Sequence, residues 1–446
     1  MRSFFELSAA AVYNVKKRKA ASLTRRLSKR QWWSRERLMK LSEERARALA
    51  AHAAGNVPYY KEIFRSLDVD PRRMAFPEDW EKIPVLTKDM LRENYDLLLS
   101  TAGHAAKGIR NHSGGSTGMP VSFLSDPALY DSMAASLNLG FTWAGWKQGE
   151  MIFMIWGANI QNRYDTFLQR LRARLSGNLI QSVYSYDAGS FELWLKLIGR
   201  YKPTIIYGYP SAIADFSGWM LEKGHAPKGI KGVFCSAEML LESKRRVIEA
   251  AFGCKVYNQY GCREAPGIAC ECPEGNMHLF ADLNMVEFPE QGVGPGRIIV
   301  TPLGNYAQPL LRYDLGDTGL QKDGACPCGR GYPLLDINLG RQNDYLVSSD
   351  GKLIYPGYFT RLLDGRHWIR LFRYRQIGAN RIELLVECKP GPDINKRIEA
   401  LKSEILPAIR SRIGPETMLE ITPVEKIERT GAGKHRYIEN AIKEKA

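Results

Sequence analysis

Short apolar runs alternate with segments of helical periodicity through the middle of the chain. Met151 to Trp156 reads Met-Ile-Phe-Met-Ile-Trp, and Thr204 to Tyr207 and Arg297 to Thr301 are runs of the same kind. Their length and composition predict strands. Between them, Phe191 to Arg200 and Ser243 to Phe252 space their apolar residues as one face of a helix does. Strand and helix in alternation predict an α/β fold. After Gly340 the pattern changes: Arg381 to Glu387 reads as a strand, Asp393 to Arg412 as a long amphipathic helix and Met418 to Val424 as a further strand. A small α+β domain over 341–446 fits, its boundary near Arg341 to Asp344.

Composition narrows this picture. At 446 residues the chain is too long for one ordinary core, and a hydrophobic content of 44% is enough to bury a large domain and a small one. No apolar run reaches the roughly 18–20 residues that span a bilayer. The apolar stretch Leu7 to Val15 is short, and its basic cluster follows rather than precedes it, which is not the order of a signal peptide. Cysteines bunched as Cys270-Glu271-Cys272 and Cys326-Pro327-Cys328 suit metal ligation in a reducing cytosol better than disulfides.

Charge is unevenly placed. Residues 1–50 carry fourteen Lys or Arg against four Asp or Glu, so about +10 of the chain's formal +15 sits there. Aromatic and small apolar residues (Phe4, Phe5, Leu7, Val12, Tyr13) are interleaved with Lys16-Lys17-Arg18-Lys19 and Arg25-Arg26. Two readings stand level: a basic amphipathic arm that meets an anionic membrane surface at the cytoplasmic face, and a solvated helix packed on the body. No recognition motif accompanies the charge, so no nucleic-acid partner is expected.

Two constellations carry chemistry. Ser113-Gly114-Gly115-Ser116-Thr117-Gly118 has the glycines that let backbone N–H groups approach an anion and the hydroxyls to donate beside them. It lacks the Gly-Lys-Ser/Thr ending of a Walker loop, and Met119 stands where a lysine often follows. Cys272, His278, Cys326 and Cys328 form a Cys₃His set of the kind that closes around structural zinc, with Cys270 competing for the place of Cys272.

Further motifs follow the Gly/Ser loop in a fixed order: Ser236-Ala237-Glu238, Gln259-Tyr260-Gly261-Cys262-Arg263-Glu264, Arg312-Tyr313-Asp314-Leu315-Gly316-Asp317, Gly340-Arg341-Gln342-Asn343-Asp344 and Arg429-Thr430-Gly431-Ala432-Gly433-Lys434. The series resembles the adenylate-forming (AMP-binding) superfamily. Within it, Asn56 to Lys61 and Ile83 to Lys88 are similar to the amino-terminal signatures of the phenylacetate-CoA ligase and capsular-polysaccharide ligase branch. The resemblance runs from about residue 50 to the end. The basic amphipathic arm over 1–50 lies outside it; the resemblance implies a large multi-layer adenylation domain over 51–340 and a small mobile domain over 341–446 joined by a hinge.

The same resemblance implies roles. The 113–118 loop would hold the β and γ phosphates of ATP, Ser236 to Glu238 would lie beside adenine, and Tyr260-Gly261 would stack on it or orient the α phosphate. Glu264 would ligate Mg²⁺, Asp317 would accept from the ribose hydroxyls, and Arg341 would contact ribose or phosphate. Asn343 stands where the family usually has a hinge Asp or Lys. Lys434, between glycines, would bridge the reacting carboxylate and the α phosphate. The Cys/His grouping recurs in that branch as a structural metal site. The expected activity is ATP-dependent formation of an acyl-adenylate from a small carboxylic acid and transfer to coenzyme A. The alternatives are an amine acceptor on a sugar or amino acid, and a non-catalytic zinc-stabilised scaffold. His112, before the loop, suits a phosphate contact or loop orientation, and Trp156, Tyr207, Tyr209 and Pro210 suit an acid pocket or plain core.

Overall fold

The computed structural model describes residues 4–112, 121–157, 164, 166–183, 186–289, 296–337, 346–350, 353–354, 356–363, 366, 368–428 and 436–442. The chain starts with four helices, α1 (Phe4–Lys16), α2 (Arg18–Arg30), α3 (Arg35–Asn56) and α4 (Pro58–Leu67). Ser34 begins α3 by accepting from the Arg37 amide at 3.3 Å, which satisfies one of the free N–H groups of the first turn. Leu49, Ala50 and Ala53 of α3 pack with Tyr60 and Phe64 of α4 in a core that extends to Tyr313 and Leu315. The expected boundary at residue 50 therefore falls inside α3.

Nor do residues 1–50 stand off as a separate arm. The small residues Ala20 and Ala21, with Leu23 and Leu27, bury one face of α2, which lies on a later helix, α6 (Pro127–Trp143). The carbonyl of Glu6 in α1 lies where a side chain on Gly149 would be, 2.1 Å from an ideal Cβ, and Gly149 has φ +99°. Gly149→Ala is expected to cost at least about 1–2 kcal/mol in backbone conformation and to lift α1 from the body. Limited proteolysis with cleavage mapped to residues 1–17 would read this, and an unchanged cleavage pattern would show that α1 is not held there.

A short helix α5 (Lys88–Glu93) and a hairpin of β1 (Ile109–His112) and β2 (Ser122–Ser125) precede α6 (Pro127–Trp143). The body then alternates β3 (Ile152–Trp156), α7 (Phe167–Ser176), β4 (Asn178–Ser182), α8 (Ala188–Tyr201), β5 (Ile205–Gly208), α9 (Pro210–Glu222), β6 (Gly232–Cys235), α10 (Glu242–Phe252) and β7 (Val256–Tyr260). These five strands are parallel, in the order β4-β3-β5-β6-β7. Their side chains alternate between two cores. Phe153, Ile155, Ile206 and Val233 face one side; Ile152, Ile205, Tyr207 and Phe234 face the other, where α2 and α6 pack. Helices cover both faces, which is why β3 and β5 read as unbroken apolar runs.

Beyond β7 the sheet turns antiparallel through β8 (Ala269–Glu271), β9 (Met277–Leu279), β10 (Asn284–Glu287), β11 (Gly296–Pro302), β12 (Tyr313–Lys322) and β13 (Leu334–Asp336). Among the described residues the sheet has eleven strands. The carboxy-terminal part is a separate α+β unit. After β14 (Leu346–Val347), β15 (Leu353–Ile354) and α11 (Pro356–Leu363) come β16 (Ile369–Gly378), β17 (Arg381–Cys388), α12 (Ile394–Ile413), β18 (Met418–Val424) and β19 (Ile438–Asn440). Its sheet order is β18-β17-β16-β19. Ile398, Leu401, Ile405 and Ile409 of α12 form one apolar ridge against Leu384 and Val386. Met239 and Leu241 of the body pack onto the same cluster.

Candidate functional site

In an open parallel sheet, ligands bind beyond the carboxyl ends of the strands, where the order reverses. Here β4 leaves β3 on one side and β5 joins it on the other, so the reversal lies between β3 and β5. Trp156 ends β3, and Tyr209 follows β5 just before Pro210, the first residue of α9. The Trp156 ring stacks on Tyr207 at 4.9 Å and meets Tyr209 edge-on at 5.0 Å. Tyr207 and Tyr209 are core residues, while Trp156 is half-buried.

The next two strand ends carry the expected nucleotide motifs. After β6, the Ser236 amide donates to the Gly208 carbonyl at 3.0 Å. Ala237 takes φ +74°, a left-handed conformation uncommon for a residue with a Cβ, and the turn directs Glu238 toward α9. There the Glu238 carboxylate accepts from the Ser211 amide at 3.2 Å and its hydroxyl at 2.5 Å. After β7, a Cβ on Gly261 would lie 2.8 Å from the Gly267 nitrogen, so the loop that carries Glu264 closes tightly only on glycine. Cys262 N–H to Ala265 O (3.1 Å) and Ile268 N–H to Tyr260 O (3.0 Å) hold that loop. Glu264 is a loop residue, not a helix cap, and is buried. Burial pushes the Cys262 thiol well above its ordinary range and the Glu264 charge adds to this, so it stays protonated.

Distant motifs are joined by direct bonds. The Tyr260 hydroxyl donates to Asp317 Oδ2 on β12 at 2.8 Å. Leu86 pairs with Tyr313, with the Leu86 amide on Arg312 O (3.0 Å) and the Asp314 amide on Leu86 O (2.9 Å), which ties the 83–88 segment to the 312–317 motif. Arg312, buried, donates to Glu287 at 3.0 Å and to the Ile83 carbonyl at 2.7 Å.

Ser113, Gly114, Gly115, Ser116, Thr117 and Gly118, with Arg341, Asn343 and Lys434, lie outside the described residues. Their flanks are informative. Arg263, next to Glu264, donates to the His112 carbonyl at 3.0 Å, so the chain enters the Gly/Ser loop beside the Glu264 segment. His112 Nδ1 lies 3.0 Å from the Ser122 hydroxyl on the loop's other side, which suits loop orientation. At the carboxy-terminal end, Arg373 donates to the carbonyls of Arg436 (3.1 Å) and Glu428 and so clamps both flanks of the Lys434 segment. Tyr437 packs over Lys244 of α10, whose nitrogen is 5.5 Å from the ring centre. Burial acts against the Lys244 ammonium, but Tyr437, Glu238 and Asp215 outweigh it and raise its pKa. Tyr437 thus lies near Glu238 of the Ser236–Glu238 turn.

The cysteine and histidine residues converge as a second centre. One ligand atom each from Cys272, His278, Cys326 and Cys328 lies within 4.8 Å of the others. Cys272 and Cys326 sulfurs are 3.6 Å apart, and Cys328 Sγ is 3.3 Å from His278 Nε2. A tetrahedral ion with metal–sulfur bonds of about 2.3 Å requires sulfurs about 3.7 Å apart, so the set fits zinc. His278 Nδ1 lies 3.3 Å from the Tyr332 carbonyl, an acceptor only, which puts the proton on Nδ1 and leaves Nε2 free to ligate. Burial pushes His278 down to about 4, keeping the imidazole neutral. It pushes Cys272 up to about 12, so a thiolate there needs a cation beside it. Cys270 is outside the cluster: its sulfur is directed to the Glu271 carbonyl and to Gly140 of α6.

Sequence reasoning missed the support for this centre. The buried Gln31 accepts from Trp143 Nε1 and from Arg330 Nε, both at 2.9 Å, and its carbonyl takes the Gly331 amide at 2.9 Å. The Arg330 guanidinium sits between the rings of Trp32 (5.1 Å) and Trp143 (4.6 Å). The cysteine loop is therefore docked on the end of α2. The only hint in sequence was Trp32-Trp33 ending a basic helix.

Likeness to known proteins extends over most of the chain. No protein-family model matches the chain. It is 26% identical over 439 residues to the phenylacetate-coenzyme A ligase of Thermus thermophilus, covering 91% of this chain and 96% of that one. It is 25% identical over 417 residues to protein CapK of Staphylococcus aureus, covering 91% and 90%. Among solved structures, 2-hydroxyisobutyryl-CoA ligase in the postadenylation state, in complex with R3-HIB-AMP, aligns with a TM-score of 0.73 at 18% identity over 94% of each chain, a likeness of fold. Over nine tenths of its length this chain is similar in sequence to phenylacetate-coenzyme A ligase and protein CapK, and in fold to 2-hydroxyisobutyryl-CoA ligase.

Proposed function

We propose that the protein is an AMP-forming acid–thiol ligase. The observation that carries this reading is the bond between Tyr260 and Asp317, which brings an aromatic face and a ribose-type carboxylate together beside the buried Glu264. A carboxylate is a poor electrophile. Its oxygen attacks the α phosphorus of ATP, pyrophosphate leaves, and the mixed anhydride then yields the acyl group to the thiol of coenzyme A as AMP departs. Displacement in line at phosphorus depends on positioning and charge rather than on a protein nucleophile. Tyr260 and Asp317 would hold the nucleoside, the 113–118 loop and Arg341 the phosphates, and Lys434 would carry positive charge to the reacting oxygens. Asn343 would mark the hinge about which the small domain turns between the two half-reactions.

Glu264 would hold Mg²⁺, which when bound neutralises phosphate charge. Zinc would be held by Cys272, His278, Cys326 and Cys328, a complete set with no open position, and so is structural. The proposed location is cytoplasmic, with peripheral attachment at the membrane face through residues 1–50.

The test is ATP-dependent pyrophosphate release with a panel of aryl, fatty, amino and sugar acids, with and without coenzyme A. Release that requires one acid, with turnover sustained only by coenzyme A, is expected. Turnover sustained instead by an amine would assign the other acceptor, and no release from folded, metal-loaded protein would favour a scaffold.

A further inference from the structure

We propose that the outward faces of α1 and α2, with the exposed start of α7, form a docking surface for an anionic lipid bilayer. The proposal rests on the peripheral placement given above and specifies its surface; it does not depend on the reaction.

The two helices meet at Lys17, whose φ −117° and ψ 41° are not helical; its N–H bonds to Tyr13 O and its carbonyl accepts from the Ala21 N–H, both at 2.8 Å, so one residue ends α1 and begins α2. At 100° per residue within each helix, Ala9 and Tyr13 share one side of α1, and Ala20, Leu23 and Leu27 one side of α2. Those sides meet the body: Ala9, Ala20, Leu23 and Leu27 are buried and the Tyr13 hydroxyl accepts from Asn138 Nδ2 at 2.8 Å. The opposite face of α1 carries Leu7, Ala11 and Val15 and that of α2 carries Arg18, Arg25 and Lys29, and all six are exposed. The first face is apolar and the second cationic.

A single exposed leucine is ordinary. Here Leu7 is 54% and Val15 79% exposed on one ridge, and α1 lies on α7, whose first residues Phe167 and Leu168 are 74% and 75% exposed. The Arg174 guanidinium over the Phe5 ring, at 4.7 Å, joins the two helices. Four large apolar side chains on neighbouring elements exceed what solvation of a soluble surface requires.

Charge selects the occupant. Helix α2 has six basic residues and α7 has three, and neither has an acidic one; before Glu36 the chain has a single acid, Glu6. Cations at the rim of an apolar strip match a bilayer with anionic headgroups, where the apolar side chains enter the acyl boundary and the cations meet phosphates. A duplex nucleic acid would use the cations and leave the apolar ridge in water. A second copy, docked by a twofold axis, would bring two like-charged ridges together. Attachment is peripheral, because no helix among the described residues is long and apolar enough to cross a membrane.

The experiment is co-sedimentation of the full chain with vesicles of phosphatidylcholine alone or mixed with phosphatidylglycerol. Binding to the mixed vesicles only, and its loss as salt shortens the screening length, is expected. Leu7→Glu with Val15→Glu, and separately Arg18→Glu with Arg25→Glu, should each weaken partition by at least about tenfold. Both variants should keep the melting temperature and pyrophosphate release of the parent in solution. Failure to bind anionic vesicles, or binding that survives both substitutions, overturns the proposal. So does a concentration-dependent dimer that Leu7→Glu/Val15→Glu abolishes, which would assign the ridge to a second copy. Because the readout is partition, its failure and a failure of the ligase reading are separate results.

Discussion

Glu264→Gln is expected to lower the rate of acyl-adenylate formation by about 10²–10³-fold, equivalent to about 3–4 kcal/mol of lost stabilisation of developing phosphate charge. The substitution keeps the shape of the side chain and removes its charge. The site is buried, on a loop closed by Gly261 and Gly267, so the amide takes the same place without opening a cavity. The loss should fall mainly on the adenylation step and be eased by raising Mg²⁺. Thioester formation from acyl-adenylate supplied ready-made should change little, since pyrophosphate has already left. Single-turnover measurements of the two half-reactions decide this: equal losses in both would mean that Glu264 supports the loop rather than the ion. Lys434→Ala, by the same logic, should slow the first half-reaction selectively.

Removing the proposed zinc, by chelation or by Cys326→Ser, is expected to destabilise the body by about 3–5 kcal/mol and to release the N-terminal helices. Three sulfurs and an imidazole brought within 4.8 Å have little to hold them together without a cation, and burial opposes ionising Cys272 on its own. The loop that carries Cys326 and Cys328 continues into Arg330 and Gly331, which bond to Gln31 at the end of α2. A Cβ at Gly331 would lie 1.8 Å from the Trp33 carbonyl, so the contact is close enough for loop disorder to undo it. The expected result is one zinc per chain by metal analysis, a lower melting temperature in chelator, and new proteolytic cuts between residues 17 and 34. A chelated protein that loses zinc yet keeps its melting temperature and its cleavage pattern would remove the structural role. Cys270→Ser, in contrast, should retain the metal.

The N-terminal region shows how composition and packing divide the information. Its charge is written in the chain, but the face that binds the body is made of Ala9, Ala20 and Ala21 as much as of Leu23 and Leu27. Alanines carry little periodic signal, so a membrane-facing arm and a helix packed on the body read as equals in the sequence, although one side is core. Strands β3 and β5 of the parallel sheet were legible for the opposite reason: helices on both sides make them runs of large apolar residues. Helix α12 was legible because its one apolar ridge recurs every three or four residues.

What the sequence by itself determined is local: which segments are strands and helices, which short motifs carry glycine, hydroxyl, carboxylate and thiol groups, and in what order they come. Tertiary structure alone decided which of these meet. Tyr260 finds Asp317 across 57 positions, Gln31 finds Arg330 across 299, and Cys272 rather than Cys270 joins the cluster because strand register turns one sulfur to the cysteine loop and the other to α6. A hydrogen bond or a metal ligand requires position to within a fraction of an ångström, and between residues so far apart along the chain that position is set by sheet order and helix packing.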